Sequence, residues 1–193
     1  SAFGSYYSPQ NPKFTGVGTP PLIVSIHGGP TSQSGSQFNL KAQFFTSRGF
    51  AFLDVNYRGS TGYGREYRNK LRGQWGVYDV IDAINGATYL IDQGHVDRER
   101  IVIMGGSAGG FTVYKAMEDF PEFFRAGISL YGVSNQFALA ADTHKFEAHY
   151  NDSLLGPLPQ AAKIYRERSP IFFAERIRRP MAIFQGEDDQ VVP

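Results

Sequence analysis

Five short apolar runs punctuate the chain, each bounded by Gly, Pro or polar residues: LIVSI (Leu22 to Ile26), FAFLDV (Phe50 to Val55), IVIM (Ile101 to Met104), GISL (Gly127 to Leu130) and MAIF (Met181 to Phe184). Runs this short and continuous predict strands buried on both faces. Between them apolar residues recur at helical spacing: Leu40, Phe44 and Phe45; then Val77, Val80, Ile81, Ile84, Ala87, Leu90 and Ile91; then Val113, Ala116 and Met117. Strand-helix alternation of this kind predicts an α/β fold, a mostly parallel sheet covered by helices on both faces. Ser1 to Pro20, rich in Gly, Pro, Tyr and Ser, reads as an irregular lead-in or an edge hairpin. From Leu130 to Pro180 the rhythm breaks, because about fifty residues separate two strands that a simple unit would join with fewer. This elaboration holds Tyr131, Phe137, Phe146, Tyr150, Tyr165, Phe172 and Phe173, rings that either line a pocket or, as most aromatics do, pack local helices onto the body.

Composition narrows the picture. A chain of 193 residues with 41% hydrophobic content can bury a sizeable core and fits one domain, residues 1–193. A formal net charge of +1 without a basic stripe or an acidic tail argues against nucleic acid and anionic membrane as partners. No apolar stretch approaches the roughly 20 residues a membrane span needs, and the first residues lack a signal peptide's charged start and apolar middle. Zero cysteines exclude disulfides, a thiolate nucleophile and Cys-based metal centres, and favour a reducing, cytoplasmic setting.

The chemistry concentrates in the turns. Gly105-Gly106-Ser107-Ala108-Gly109 fits G-x-S-x-G, directly after a predicted buried strand and before a predicted helix. A strand that turns sharply into a helix strains the residue at the bend, so its neighbours two before and two after must lack bulk. Ser107 would be held out at the sheet edge as a nucleophile, with the following helix aiming free N–H groups at the reacting centre. A dinucleotide fingerprint fits worse, since the glycines fall at 105, 106, 109 and 110 and the next strand ends in Leu130-Tyr131 without an acid; a phosphate loop's Gly-Lys-Ser/Thr is absent. A tight turn that merely includes a serine is the bland alternative.

A serine hydroxyl needs a histidine base, and that base needs a carboxylate to orient it. Asp189 is the preferred carboxylate, following the fifth strand through Gln185-Gly186-Glu187-Asp188; Asp188 is its near rival. A metal site at Glu187-Asp188-Asp189 is disfavoured, since consecutive side chains diverge and no paired histidines accompany them. All four histidines, His27, His95, His144 and His149, precede Asp189, whereas the order in such sheets is Ser, acid, His; each reads as a surface or packing residue. The oxyanion donors are expected to be the N–H of Ala108 and one from Ile26-His27-Gly28-Gly29-Pro30, with Gly29 chosen. In the loop Asn56 to Gly64, Arg58 is expected to hold the scaffold through a buried pair, the alternative being that Tyr57 and Tyr63 shape the mouth of the site.

Together IHGGP, DVNYRGSTGYG, GGSAGG and GEDDQVVP resemble the catalytic domain of the prolyl oligopeptidase family, nearest its acylaminoacyl-peptidase and dipeptidyl-aminopeptidase-like branch, from about Tyr6 to the last residue. The resemblance implies an α/β-hydrolase fold, Ser107 as nucleophile, Asp189 as triad acid, Gly29 and Ala108 as oxyanion donors, and Val133 and Val192 in the pocket for the residue before the scissile bond. It implies short peptides as substrates and no cofactor. It also implies an N-terminal β-propeller and a C-terminal segment bearing the catalytic His, neither present here, so the chain reads as truncated and inactive alone. A carboxylesterase on the same fold and a non-catalytic interaction domain are the rival readings.

Overall fold

The computed structural model describes residues 1–142 and 150–192. Its sheet holds six strands: β1 (Phe3–Tyr7), β2 (Leu22–Ile26), β3 (Ala51–Asn56), β4 (Ile101–Gly106), β5 (Ala126–Leu130) and β6 (Met181–Phe184). They lie in the order β1-β3-β2-β4-β5-β6, every neighbouring pair parallel except β1, which runs antiparallel to β3. Parallel pairing forces crossover connections, supplied by α1 (Leu40–Thr46), α2 (Gly64–Asn69), α3 (Tyr78–Asp92) and α4 (Ala108–Asp119). The elaboration between β5 and β6 contributes α5 (Gln136–Asp142), α6 (Tyr150–Leu155), α7 (Ala162–Glu167) and 3-10 turns at Pro170–Phe172 and Ala174–Arg176.

The core follows from the apolar runs. Every residue of β2 and β3 is buried, and α3 and α4 cover one face, joining Val24, Leu53, Val80, Ala83, Ile103, Phe111, Val113 and Trp75 in one cluster. A smaller cluster on the other face, Ile23, Ala42, Phe52 and Met104, is closed by α1.

Three sequence expectations need correction. Ser1 to Pro20 forms neither hairpin nor wholly irregular chain, because Phe3–Tyr7 pairs with β3 as an edge strand. Burial on both faces fails at the sheet's other edge: β5 alternates buried and half-buried, and in β6 Ile183 and Phe184 are exposed, since β6 has a neighbour on one side only. In α1 the buried residues are Ala42 and Thr46, while Leu40 and Phe44 face out. Directly after the loop Asn56 to Gly64 comes a short helix, α2, for which the apolar spacing gave no expectation.

Candidate active site

Ser107 stands between β4 and α4 with φ 55° and ψ −123°, a left-handed conformation that costs a non-glycine residue about 1–3 kcal/mol. The surroundings impose it. The Ser107 N–H donates to the Leu130 carbonyl at 2.9 Å, tying the bend to β5. At Gly109 a side chain would run into the Ile26 carbonyl, so α4 can start this close to β2 only with glycine there. The Ser107 hydroxyl has no hydrogen-bond partner among the described residues, and the Ala108 N–H at the first turn of α4 is equally uncommitted.

The loop after β2 faces the same bend. Gly28 lies against the Gly106 carbonyl and Ser107 Cβ; Gly29 has φ 119°, and its N–H spends no bond on the described protein. The support lies behind it. The His27 ring stacks on Tyr57 with centroids 4.3 Å apart, its Nδ1 sits 2.8 Å from the Gly28 carbonyl, and its Nε2 sits 2.7 Å from Ser60 Oγ. A carbonyl can only accept, so Nδ1 carries the proton and Ser60 donates to Nε2. Burial pushes the His27 pKa below its ordinary value, which keeps the ring neutral. The Tyr57 hydroxyl donates to the Pro30 carbonyl at 3.1 Å. His27 is thereby a packing and holding residue, as expected for each histidine. His95 stacks on Tyr6 at 5.6 Å, and His144 and His149 lie outside the described residues, as does Phe146. No described histidine lines the Ser107 cavity.

Asp189 follows β6 in a turn that it closes itself. Its Oδ1 accepts from the N–H groups of Val191 (2.9 Å) and Val192 (3.0 Å), while Gln185 Nε2 reaches Oδ2 at 3.3 Å. The Val192 and Val191 N–H bonds hold its carboxyl below the usual carboxylate range. Asp188, the rival, is exposed.

These pieces converge on one cavity of about 50 Å³. Gly29, Ser107, Ala108, Val133 and Val192 all line it, so five of the six expected site residues share a wall; Asp189 reaches it only through the turn that carries Val191 and Val192. Sequence reasoning missed Trp75 and Asn151 on the same wall, each buried with an N–H that has no partner among the described residues, Trp75 Nε1 and Asn151 Nδ2. Trp75 did carry a local signal, the turn Gly73-Gln74-Trp75-Gly76 with both glycines at positive φ, whereas Asn151, at the start of α6, carried none. A far larger cavity, about 1170 Å³, lies under residues 9–21 and includes none of the motif residues.

The remaining expectations resolve as scaffold. Arg58 binds Asp82 of α3 through Nε (3.0 Å to either oxygen) and Nη2 (2.8 Å), while its backbone N–H adds a 2.8 Å bond to the same carboxylate. Tyr57 is buried against His27, and Tyr63 stacks on Phe3 at 4.3 Å. In the elaboration Phe137, Tyr165 and Phe172 pack on one another, while Tyr150 does line the Ser107 cavity.

Comparison with known proteins agrees with this arrangement. A puromycin-hydrolysing peptidase of Mycobacterium tuberculosis superposes with a TM-score of 0.95 at 44% sequence identity, covering 100% of this chain and 29% of its own. Dipeptidyl peptidase family member 6 of Caenorhabditis elegans is 31% identical over 177 residues, 87% of this chain and 24% of that protein. The acylamino-acid-releasing enzyme of Arabidopsis thaliana is 33% identical over 180 residues, 90% and 24%. The chain thus spans about a quarter of the length of the curated relatives it matches. No described helix is long and apolar enough to cross a membrane. The prolyl oligopeptidase family model matches residues 36–193, which include both the bend at Ser107 and the turn at Asp189, and the chain belongs to that family.

Proposed function

We propose that this chain is the nucleophile-bearing part of a serine peptidase that cleaves short peptides through an acyl-enzyme. One observation carries the reading: a strained serine with an unbonded hydroxyl opens on a cavity beside two uncommitted N–H groups. Ser107 Oγ attacks the scissile carbonyl, and the oxygen that becomes negative is stabilised by the N–H groups of Ala108 and Gly29. Val133 and Val192 hold the side chain of the residue before the scissile bond. A histidine takes the Ser107 proton and returns it to the leaving amine, and Asp189 orients that histidine. Water then resolves the acyl-enzyme.

The base is assigned to a segment beyond Pro193, and access to the site to an N-terminal β-propeller. Family likeness and the greater length of the relatives support both assignments. Acylaminoacyl- or dipeptidyl-peptidase-like specificity is supported by the relatives' activities, all of which break an amide bond. The lack of cysteine supports a cytoplasmic setting.

A fluorophosphonate probe tests the reading. The full-length protein should label at Ser107 and the Ser107→Ala variant should not, while the 193-residue chain alone should turn over little, because it lacks the base. A folded full-length protein that stays unlabelled would establish the non-catalytic alternative. Hydrolysis of short-chain esters but of no aminoacyl or acyl-peptide amide would establish the carboxylesterase.

A further inference from the structure

Overall charge balance conceals a local excess of cations beside the Ser107 site. Gly64 to Arg72 contains Arg65, Arg68, Lys70 and Arg72 against a single acid, Glu66, which lies 3.6 Å from Lys70. Four arginines elsewhere are paired with acids: Arg58 with Asp82, Arg100 with Asp97, Arg125 with Glu99 and Arg179 with Glu122. The guanidinium groups of Arg65, Arg68 and Arg72 have no ion pair and no hydrogen bond among the described residues.

Their placement ties them to the site. Arg65 and Arg68, one helical turn apart on α2, share a cavity of about 290 Å³. Arg68 and Arg72 share another, of about 200 Å³, with Thr31, Tyr150 and Ser153. Tyr150 also lines the cavity at Ser107, so the two spaces share this residue. The Tyr150 hydroxyl donates to Thr31 Oγ1 at 2.6 Å and accepts from the Thr31 N–H at 2.9 Å, which fastens this wall two residues beyond the oxyanion donor Gly29.

We infer that Arg68 and Arg72 form a subsite for a carboxylate of the peptide substrate, one wall away from the attacked bond. Two guanidinium forks without an ion pair among the described residues match the planar carboxylate, and the Thr31 hydroxyl, which accepts from Tyr150 and keeps its own proton, offers a further donor in the same space. An anion also relieves the mutual repulsion of these arginines, since the one acid on their helix, Glu66, lies 3.6 Å from Lys70. A peptide offers such a group at its C-terminus or on an Asp or Glu side chain. The inference rests on the peptidase reading.

The test compares one cleavable peptide as its free acid, as its C-terminal amide, and as the amide with a Glu placed after the scissile bond, using full-length protein and an Arg68→Gln/Arg72→Gln variant. Wild type should favour one carboxylate-bearing form over the plain amide by at least about tenfold in kcat/KM, mostly through KM, and less so at high salt. The variant should treat all forms within about twofold while labelling with fluorophosphonate at the wild-type rate. Preference for the free acid identifies the terminal carboxylate as the ligand; preference for the Glu peptide identifies the side chain. Equal turnover of the three forms by wild type, an unchanged preference in the variant, or an equal loss on every substrate would overturn the subsite. Failure of wild type to label at Ser107 would instead overturn the peptidase reading beneath it.

Discussion

Ser107 is legible in the sequence because the pattern that marks its bend is local, a strand, a helix and glycines on either side, even though the contacts that impose the strain come from β2 and β5. The cavity partners Val133 and Val192 lie 26 and 85 positions away along the chain (133 − 107 and 192 − 107), and only likeness to a family brought them into view. His27 shows the limit more sharply. In sequence it is one histidine among four; in the fold it is the brace behind the Gly28-Gly29 loop, because Ser60 and Tyr57, brought in by β3, surround it. The Nδ1 bond to the Gly28 carbonyl fixes the peptide that presents the Gly29 N–H. Replacing His27 with Ala should therefore lower kcat by about tenfold or more while leaving KM within about twofold, since a loosened donor weakens binding of the transition state rather than of the substrate. A steady-state comparison with wild type checks this; a raised KM with unchanged kcat would show that the ring only shapes the binding surface.

Among the elements, β2, β3 and β4 were readable because burial on both faces leaves an uninterrupted apolar run. The helices were harder. Spacing identified one stripe of α4, yet Ala108 to Glu118 are all buried, including the polar Thr112, Lys115 and Glu118 on the other sides. Lys115 reaches Glu118 at 3.1 Å, Asp119 at 3.2 Å and the Glu167 carbonyl at 3.3 Å under the elaboration, a cover invisible to periodicity. Asp79 makes the same point on α3. It is fully buried, accepts from Thr112 Oγ1 at 2.5 Å and from the Gly76 N–H at 2.7 Å, and so joins α3 to α4. Burial outweighs these donors and pushes its pKa up to about 6 from the ordinary 3.8. The folded state then binds this proton more tightly than the unfolded state. The associated stability is present below about pH 4 and is lost as pH rises to about 6. Denaturant titrations of wild type and Asp79→Asn should diverge in that window, wild type gaining on the variant as pH falls from about 7 to about 4. Parallel pH profiles would show that the two hydrogen bonds hold Asp79 ionised throughout.

In the assembled sheet the two edges differ in kind. The β1 edge pairs with β3 and is backed by Tyr63 and Tyr67 through the Phe3 ring. The β6 edge exposes Ile183 by 59% and Phe184 by 58%, with Val191 at 61% in the turn that follows. MAIF reads as a core strand because its composition is that of one; what it lacks is neighbours, a property of the surrounding chain that no local pattern encodes. Exposed apolar residues along an open strand edge invite pairing with whatever chain arrives, including another copy. The 193-residue polypeptide is accordingly expected to enhance the fluorescence of a hydrophobic dye such as anilinonaphthalene sulfonate and to self-associate as concentration rises. Ile183→Ser/Phe184→Ser should reduce both effects without unfolding the domain, because neither side chain belongs to either buried cluster. The full-length protein should show neither effect if further sheet and helix cover this edge, and that cover would also place a base-bearing loop beside Asp189. Equal dye response from the short and full-length forms would separate the two ideas: the edge would then be open in the full-length protein, and a base for Ser107 would have to come from elsewhere.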